Sequence, residues 1–204
     1  KSIHDSSSLS DNRVLVSLED KNGYIWIGTL QGGLNKYDKY TQKIKRYPFN
    51  INDDNTLKGD RVFSIYQDSK DLLWIGTSSG IFLYLKEKDV FQNKNTFCFG
   101  ANKAYTVRCI KEDFLGNLWI GTSNGLYIID ASRKKVTSLN NSNSQLNNNF
   151  INGVTFDKNN VAYIATENGV NIYNLKTNKF SYITSKSNLN SISSNTINCI
   201  LYDQ

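Results

Sequence analysis

One phrase recurs through the chain at a nearly constant interval, and that recurrence limits the fold more than any single residue. LWIGTSNGL occupies 118–126, IWIGTLQGGL runs from Ile25 to Leu34, LWIGTSSGI from Leu73 to Ile81, and a worn copy, AYIATENGV, from Ala162 to Val170. An acidic residue precedes each copy at Asp20, Asp68, Asp113 and Asp157, and recurs at Asp203, with spacings of 48, 45, 44 and 46 residues. Six residues after the first four anchors stands an aromatic residue (Trp26, Trp74, Trp119, Tyr163). Eight after stands a small one (Gly28, Gly76, Gly121, Ala165), and nine after a threonine (Thr29, Thr77, Thr122, Thr166). A glycine closes each phrase at Gly33, Gly80, Gly125 and Gly169. A period in the forties with aromatic and glycine markers predicts a propeller or a solenoid.

The pattern inside a copy separates these two. Arg61 to Gln67 is β-rich and ends at Asp68; Leu72 to Thr77 follows a tight turn; Ile81 to Leu85 follows another; a weaker run lies near Val90 and Phe91. Short turns make neighbouring strands antiparallel, and no segment holds a 3.6-residue period. Four such strands in about 45 residues make one propeller blade. The fold class is therefore all-β, a partial β-propeller over 1–204. Its blades are expected at 13–47, 61–92, 105–139 and 150–183, and the inner strand of a fifth at 196–203. The long connection between blades places the first strand innermost and the fourth outside. Four blades do not close a ring, so the chain is expected to be part of a larger one. It contains no methionine, which points to an interior or processed piece.

A blade cannot bury both apolar faces alone, so each copy needs the same interlocking residues. The tryptophan supplies a slab between blades, and the small residue two positions on leaves room for the neighbour. The closing glycine takes positive φ, and the anchor Asp opens a type I turn. Trp26, Trp74, Trp119, Tyr163, Gly33, Gly80, Gly125 and Gly169 are thus structural repeat residues. Cys109 and Cys199 share one repeat position, expected to pack on the inner strand, and Cys98 is expected to be a small buried hydrophobe.

Composition narrows the chemistry. Three cysteines without a C-x-x-C spacing and a single histidine, His4, leave no candidate metal site or disulfide framework. The same histidine lies in a linker-like segment, so a Ser-His-Asp arrangement has no centre. The paired carboxylates Glu19–Asp20, Asp53–Asp54 and Glu112–Asp113 are adjacent in sequence and point to opposite faces. No phosphate-cradling loop opens a helix. No cofactor and no enzymatic activity are expected of this segment. The formal charge of +6 permits an anionic partner. The densest basic groups, Lys43–Lys45–Arg46 and Arg133–Lys134–Lys135, fall where a turn enters an outer strand and read as solvated. No direct nucleic-acid contact is expected.

The phrase V-x-S-I-x-x-D…W-I-G-T-x-x-G resembles the two-component regulator propeller repeat. Arg61 to Tyr84, Asn117 to Leu126 and Gly33 to Asp38 carry the likeness, and the segments before the first two blades match its linker. Asp71 departs from the family's turn glycine, and the fourth copy has lost its tryptophan. The resemblance implies seven-bladed rings in the periplasmic sensor of hybrid two-component histidine kinases of Bacteroides-type bacteria. A β-sandwich domain, a membrane helix, a kinase, a receiver and a DNA-binding domain follow in such proteins. Oligosaccharides are their usual signals and a homodimer their expected state; the membrane is reached only through the parent chain.

On one face of such a propeller the first strands begin with Arg13, Arg61, Thr106, Phe150 and Thr196. The turns after the second strands carry Gln31, Ser79, Asn124 and Glu167. These residues differ while the frame repeats, the pattern of a binding surface on a scaffold. The ligand-binding candidates are Arg13, Arg61, Gln31, Asn124 and Glu167, with the two arginines suited to a carboxylate or sulfate of an acidic sugar. The bland alternative is a solvated rim. An oligosaccharide sensor and a protein-interaction scaffold both remain open, with a propeller lyase a weaker third.

Overall fold

The computed structural model describes residues 8–185 and 191–203. Its strands form four antiparallel four-stranded sheets, each in chain order. The first blade is β1 (Val14–Glu19), β2 (Tyr24–Thr29), β3 (Leu34–Asp38) and β4 (Lys43–Tyr47). The second is β5 (Val62–Gln67), β6 (Leu73–Thr77), β7 (Gly80–Leu85) and β8 (Val90–Asn93). A short helix, α1 (Asn95–Phe99), leads to the third blade: β9 (Val107–Glu112), β10 (Leu118–Thr122), β11 (Gly125–Ile129) and β12 (Val136–Leu139). The fourth is β13 (Ile151–Phe156), β14 (Val161–Thr166), β15 (Gly169–Asn174) and β16 (Lys179–Ile183). The chain is an all-β partial propeller. It divides into two compact units after Val107, the first holding blades one and two, the second the rest of blade three and blade four.

Alternation sets the strands, and blade stacking modifies it. At the start of the chain β1 is half wet, whereas every residue of β6 and of β10 is buried, because a middle strand is covered on both faces. Within the first unit β1 lies beside β5. Trp26 stacks on Tyr47 at a centroid distance of 5.8 Å and meets the edge of Tyr84 from blade two at 4.8 Å. Within the second unit Trp119 meets Phe156 and Tyr173 of blade four. A Cβ on Gly28 would lie 2.6 Å from Val62 Cγ1, and one on Gly121 2.7 Å from Ile151 Cγ2. These glycines admit the first residue of the next blade's inner strand.

Four expectations need correction. Residues 196–203 form no strand. Ile197 donates its N–H to Thr166 O and accepts from Asn152 Nδ2, but isolated bonds make no ladder, and no second strand pairs there among the described residues. Cys199 is accordingly exposed, while Cys98 is buried. A helix does occur: α1 buries Cys98 and Phe99 in the connection whose sequence has Asn102 where other copies have an aliphatic residue. Arg133 is not a solvated charge; its side chain is 10% exposed and its guanidinium pairs with Glu112 at 2.7 Å.

Candidate functional site

The repeat residues are absorbed by a shared frame. In blade one the Oδ1 of Asp20 accepts the N–H groups of Asn22 and Tyr24, closing the first hairpin, and its Oδ2 accepts the Trp26 indole N–H at 2.8 Å. Asp68 with Trp74 and Asp113 with Trp119 repeat this at 2.9 and 2.8 Å. The anchor therefore ties the turn to the interblade slab, a buried acceptor for a buried donor. The Trp–Asp offset of six in the sequence is the signal for this bond, although type I turn chemistry alone accounts for only half of it. At the opposite end of β2, β6, β10 and β14 the threonine hydroxyl donates to the carbonyl of the closing glycine. Gly33, Gly80, Gly125 and Gly169 all have positive φ.

The rim residues differ in what they touch. Arg13 reaches Asp11 at 3.3 Å and donates to Gln31 Oε1, so Arg13 and Gln31 are joined. The Gln31 N–H completes the knot on Asp11 Oδ2. Burial pushes the Asp11 carboxyl up, but the Arg13 amide and guanidinium and the Gln31 amide outweigh it and hold it below its ordinary value. Arg13 is thus already matched by a carboxylate. Arg61 occupies the same place in blade two, yet the residue matching Asp11 is Gly59, whose φ is +82° and where a Cβ would strike Ser78 and Ser79. The Arg61 side chain is exposed and has no ion pair or hydrogen bond among the described residues. Its backbone carbonyl accepts Ser78 N–H, as that of Arg13 accepts Leu30 N–H.

In the second unit Asn124 donates its backbone N–H to Thr122 Oγ1 and is half-buried, and Glu167 stands exposed in the next blade's turn. No hydrogen bond joins these two residues to each other among the described residues. Phe150 lies under the Arg108 guanidinium at 5.2 Å. Two fully buried asparagines were not singled out by the sequence. Asn35 holds the Ser10 amide and hydroxyl, and Asn171 exchanges two bonds with Asn147. Both fasten the linker preceding their blade, and their signal is an amide in a strand at a position where blades two and three have Phe82 and Tyr127.

The paired carboxylates separate as strand geometry requires. Glu19 pairs with Lys39 while Asp20 holds Trp26; Glu112 pairs with Arg133 while Asp113 holds Trp119. Asp53 caps its own loop and Asp54 reaches Lys58 at 3.6 Å. His4 lies outside the described residues. Among the described residues no group of three His, Cys, Asp or Glu side chains converges on a common point, and no helix is long and apolar enough to cross a membrane.

The family model described as Two component regulator propeller matches residues 8–31, 56–79 and 103–124. Among solved structures, the extracellular domain of a putative hybrid two-component system of B. thetaiotaomicron is similar with a TM-score of 0.80 and 23% identity, over 95% of this chain and 25% of that one. A further extracellular domain of a putative hybrid two-component system of B. thetaiotaomicron matches with a TM-score of 0.57 and 26% identity, over 100% and 32%. Virginiamycin B lyase from Staphylococcus aureus has a TM-score of 0.58 at 15% identity, over 86% and 57%, a likeness of fold alone. The chain spans about a quarter to a third of the length of the extracellular domains it matches. No curated protein sequence matches it.

Proposed function

The chain belongs to the two-component regulator propeller family by its three matched repeats, and from that premise we propose that it is a ligand-sensing, periplasmic segment of a hybrid two-component sensor histidine kinase. In this reading oligosaccharides are the signal and glycan-utilisation genes the output. The segment binds and performs no chemistry. The observation that carries the reading is the contrast between frame and rim. The Asp–Trp and Thr–Gly bonds repeat blade after blade, whereas the rim positions change chemistry, and Arg61 keeps an unmatched cation in the open. An exposed guanidinium suits a carboxylate or sulfate.

A second reading, a protein-interaction or dimerisation scaffold, draws on the hairpin between β9 and β10. Phe114 and Leu115 are 62% and 64% exposed there, while the other blades have polar residues at this tip. The test is the melting temperature of the intact extracytoplasmic region against a panel of neutral and acidic oligosaccharides. A ligand at 100 times its Kd stabilises by about 2.7 kcal/mol. A rise with one glycan class, lost in Arg61→Ala, supports the sensor. Silence across the panel, with self-association that Phe114→Ser abolishes, supports the scaffold instead.

A further inference from the structure

The face of blade one that carries Trp26 departs from the other three blades at one cross-strand row. In blade two Trp74 on β6 lies opposite Leu83 on β7, which lies opposite Gln92 on β8; in blade three the row is Trp119, Ile128, Thr137; in blade four it is Tyr163, Ile172, Ser181. In blade one it is Trp26, Lys36, Lys45. A lysine replaces the aliphatic residue, and a second lysine faces it. Like charges directly opposite on adjacent strands repel, so this row breaks the packing rule that the rest of the molecule keeps. The next row on the same face is Tyr24, Asp38, Lys43, which adds a third cation.

Over these rows lies an open cleft of ≈ 470 Å³ lined by Tyr24, Lys36, Asp38, Lys43 and Lys45 among others. Its charges are incompletely matched. Lys45 pairs with Asp89. Lys36 sits 3.9 Å above the Tyr24 ring and 5.2 Å from that of Trp26, with no carboxylate in salt-bridge range among the described residues. Lys43 is exposed and makes no ion pair among them. Asp38, the carboxylate of the lining, is turned to its own turn, accepting Tyr40 N–H, Thr41 N–H and Thr41 Oγ1–H. The like-charge cost is offset only in part, by the aromatic rings under Lys36 and by Asp89 beside Lys45; such a local inconsistency is the kind expected at functional sites, and the volume lies in the range of small-ligand pockets.

We propose that this face of blade one binds a sulfate or carboxylate group carried on a sugar-sized ligand, with Lys36 and Lys43 as the charge partners and the Tyr24 ring holding Lys36 in place. The site is separate from Arg61 and does not depend on a kinase downstream. Calorimetric titration of the full chain would use a sulfated disaccharide, a uronic-acid disaccharide, their uncharged parent and sodium sulfate. An anionic disaccharide is expected to bind, its affinity falling with ionic strength, and the uncharged parent is not. Lys36→Leu installs the residue blade two carries; it should keep or raise the unfolding midpoint while weakening binding by roughly tenfold or more. Lys45→Gln, the other blade-two replacement, removes a flanking charge and should weaken binding less. Equal binding of sodium sulfate assigns the site to a free anion and overturns the sugar-sized carrier. Undiminished binding in Lys36→Leu, loss in Arg61→Ala alone, or no binding of any probe overturns the site.

Discussion

Blades one to three and blade four solve the same packing problem with opposite allocations of volume. In the first three a glycine on the second strand faces a larger residue on the first: Gly28 pairs with Val16, Gly76 with Ser64, and Gly121 lies against Cys109. In blade four the small residue has changed strands, and Gly153 on β13 faces Ala165 on β14. The slab changes with it. Trp26, Trp74 and Trp119 are all but fully buried and bonded to their anchors, while Tyr163 is half-buried and its hydroxyl stands 3.4 Å from Asp157. A repeat can therefore lose its loudest residue, provided the pair across the strand is rebalanced and the anchor still closes its hairpin. Asp157 does close it, through the amides of Asn159 and Val161.

The comparison breaks most visibly at the slab. Trp119→Ala is expected to destabilise by about 3–5 kcal/mol in urea unfolding, and Tyr163→Ala by only about 1–2 kcal/mol; equal losses would show the fourth slab to be as essential as the third. Next come two ion pairs at matching places beside the anchors. Glu112–Arg133 is buried and Glu19–Lys39 is exposed. Glu112→Ala should cost roughly 3 kcal/mol because it leaves a buried guanidinium without its carboxylate, whereas Glu19→Ala should cost less than about 1 kcal/mol.

The volume exchange is tested by Gly121→Ala, expected to cost about 1–3 kcal/mol by overpacking since its Cβ would lie 2.4 Å from Cys109 Sγ. Adding Cys109→Gly recreates the arrangement of blade four and should recover part of that loss. The recovery is partial because Ile151 Cγ2 also crowds the new methyl. A double variant no better than the single would refute the exchange.

The smallest effect is a pH slope. The turns between third and fourth strands each hold a non-glycine residue at positive φ: Gln42, Asp89, Arg133 and Asn178. In blade two the Asp89 carboxylate accepts the hydroxyls of Tyr84 and Tyr47 and pairs with Lys45; in blade four neutral Asn178 accepts that of Tyr173. Burial works to raise the Asp89 carboxyl, but the bonds from Lys45, Tyr47 and Tyr84 outweigh it and hold it at about 2. Burial and the same carboxylate push Tyr84 up to about 12. Because the folded carboxyl lies below its unfolded value of ~3.9, its stabilisation is complete above about pH 4 and fades as pH falls toward 2. With the side chain 37% exposed, screening limits the effect to on the order of 1 kcal/mol. Asp89→Asn, which copies blade four, should flatten that part of the stability–pH curve.

The sequence by itself determined the blades. Strand alternation, the Asp–Gly turns and a fixed offset from anchor to aromatic act over fewer than a dozen residues, and local geometry suffices to read them. It also placed the glycines against their neighbours, since a missing side chain in a repeated phrase implies a repeated close approach. Only the tertiary structure decided which charges are spent. Arg13 and Arg61 are identical in the repeat, and the difference between them lies in whether an aspartate or a glycine stands two residues earlier and folds back on the guanidinium. Arg133 reads as surface until the β11–β12 turn brings it to Glu112, 21 residues away. The row of Lys36 and Lys45 was written in the strand pattern, but its meaning needs the register of three strands, which sets the two cations side by side where every other blade sets an aliphatic residue opposite an uncharged polar one. Hydrophobic period is a property of a segment. Charge compensation is a property of neighbours that the chain brings together only when it folds.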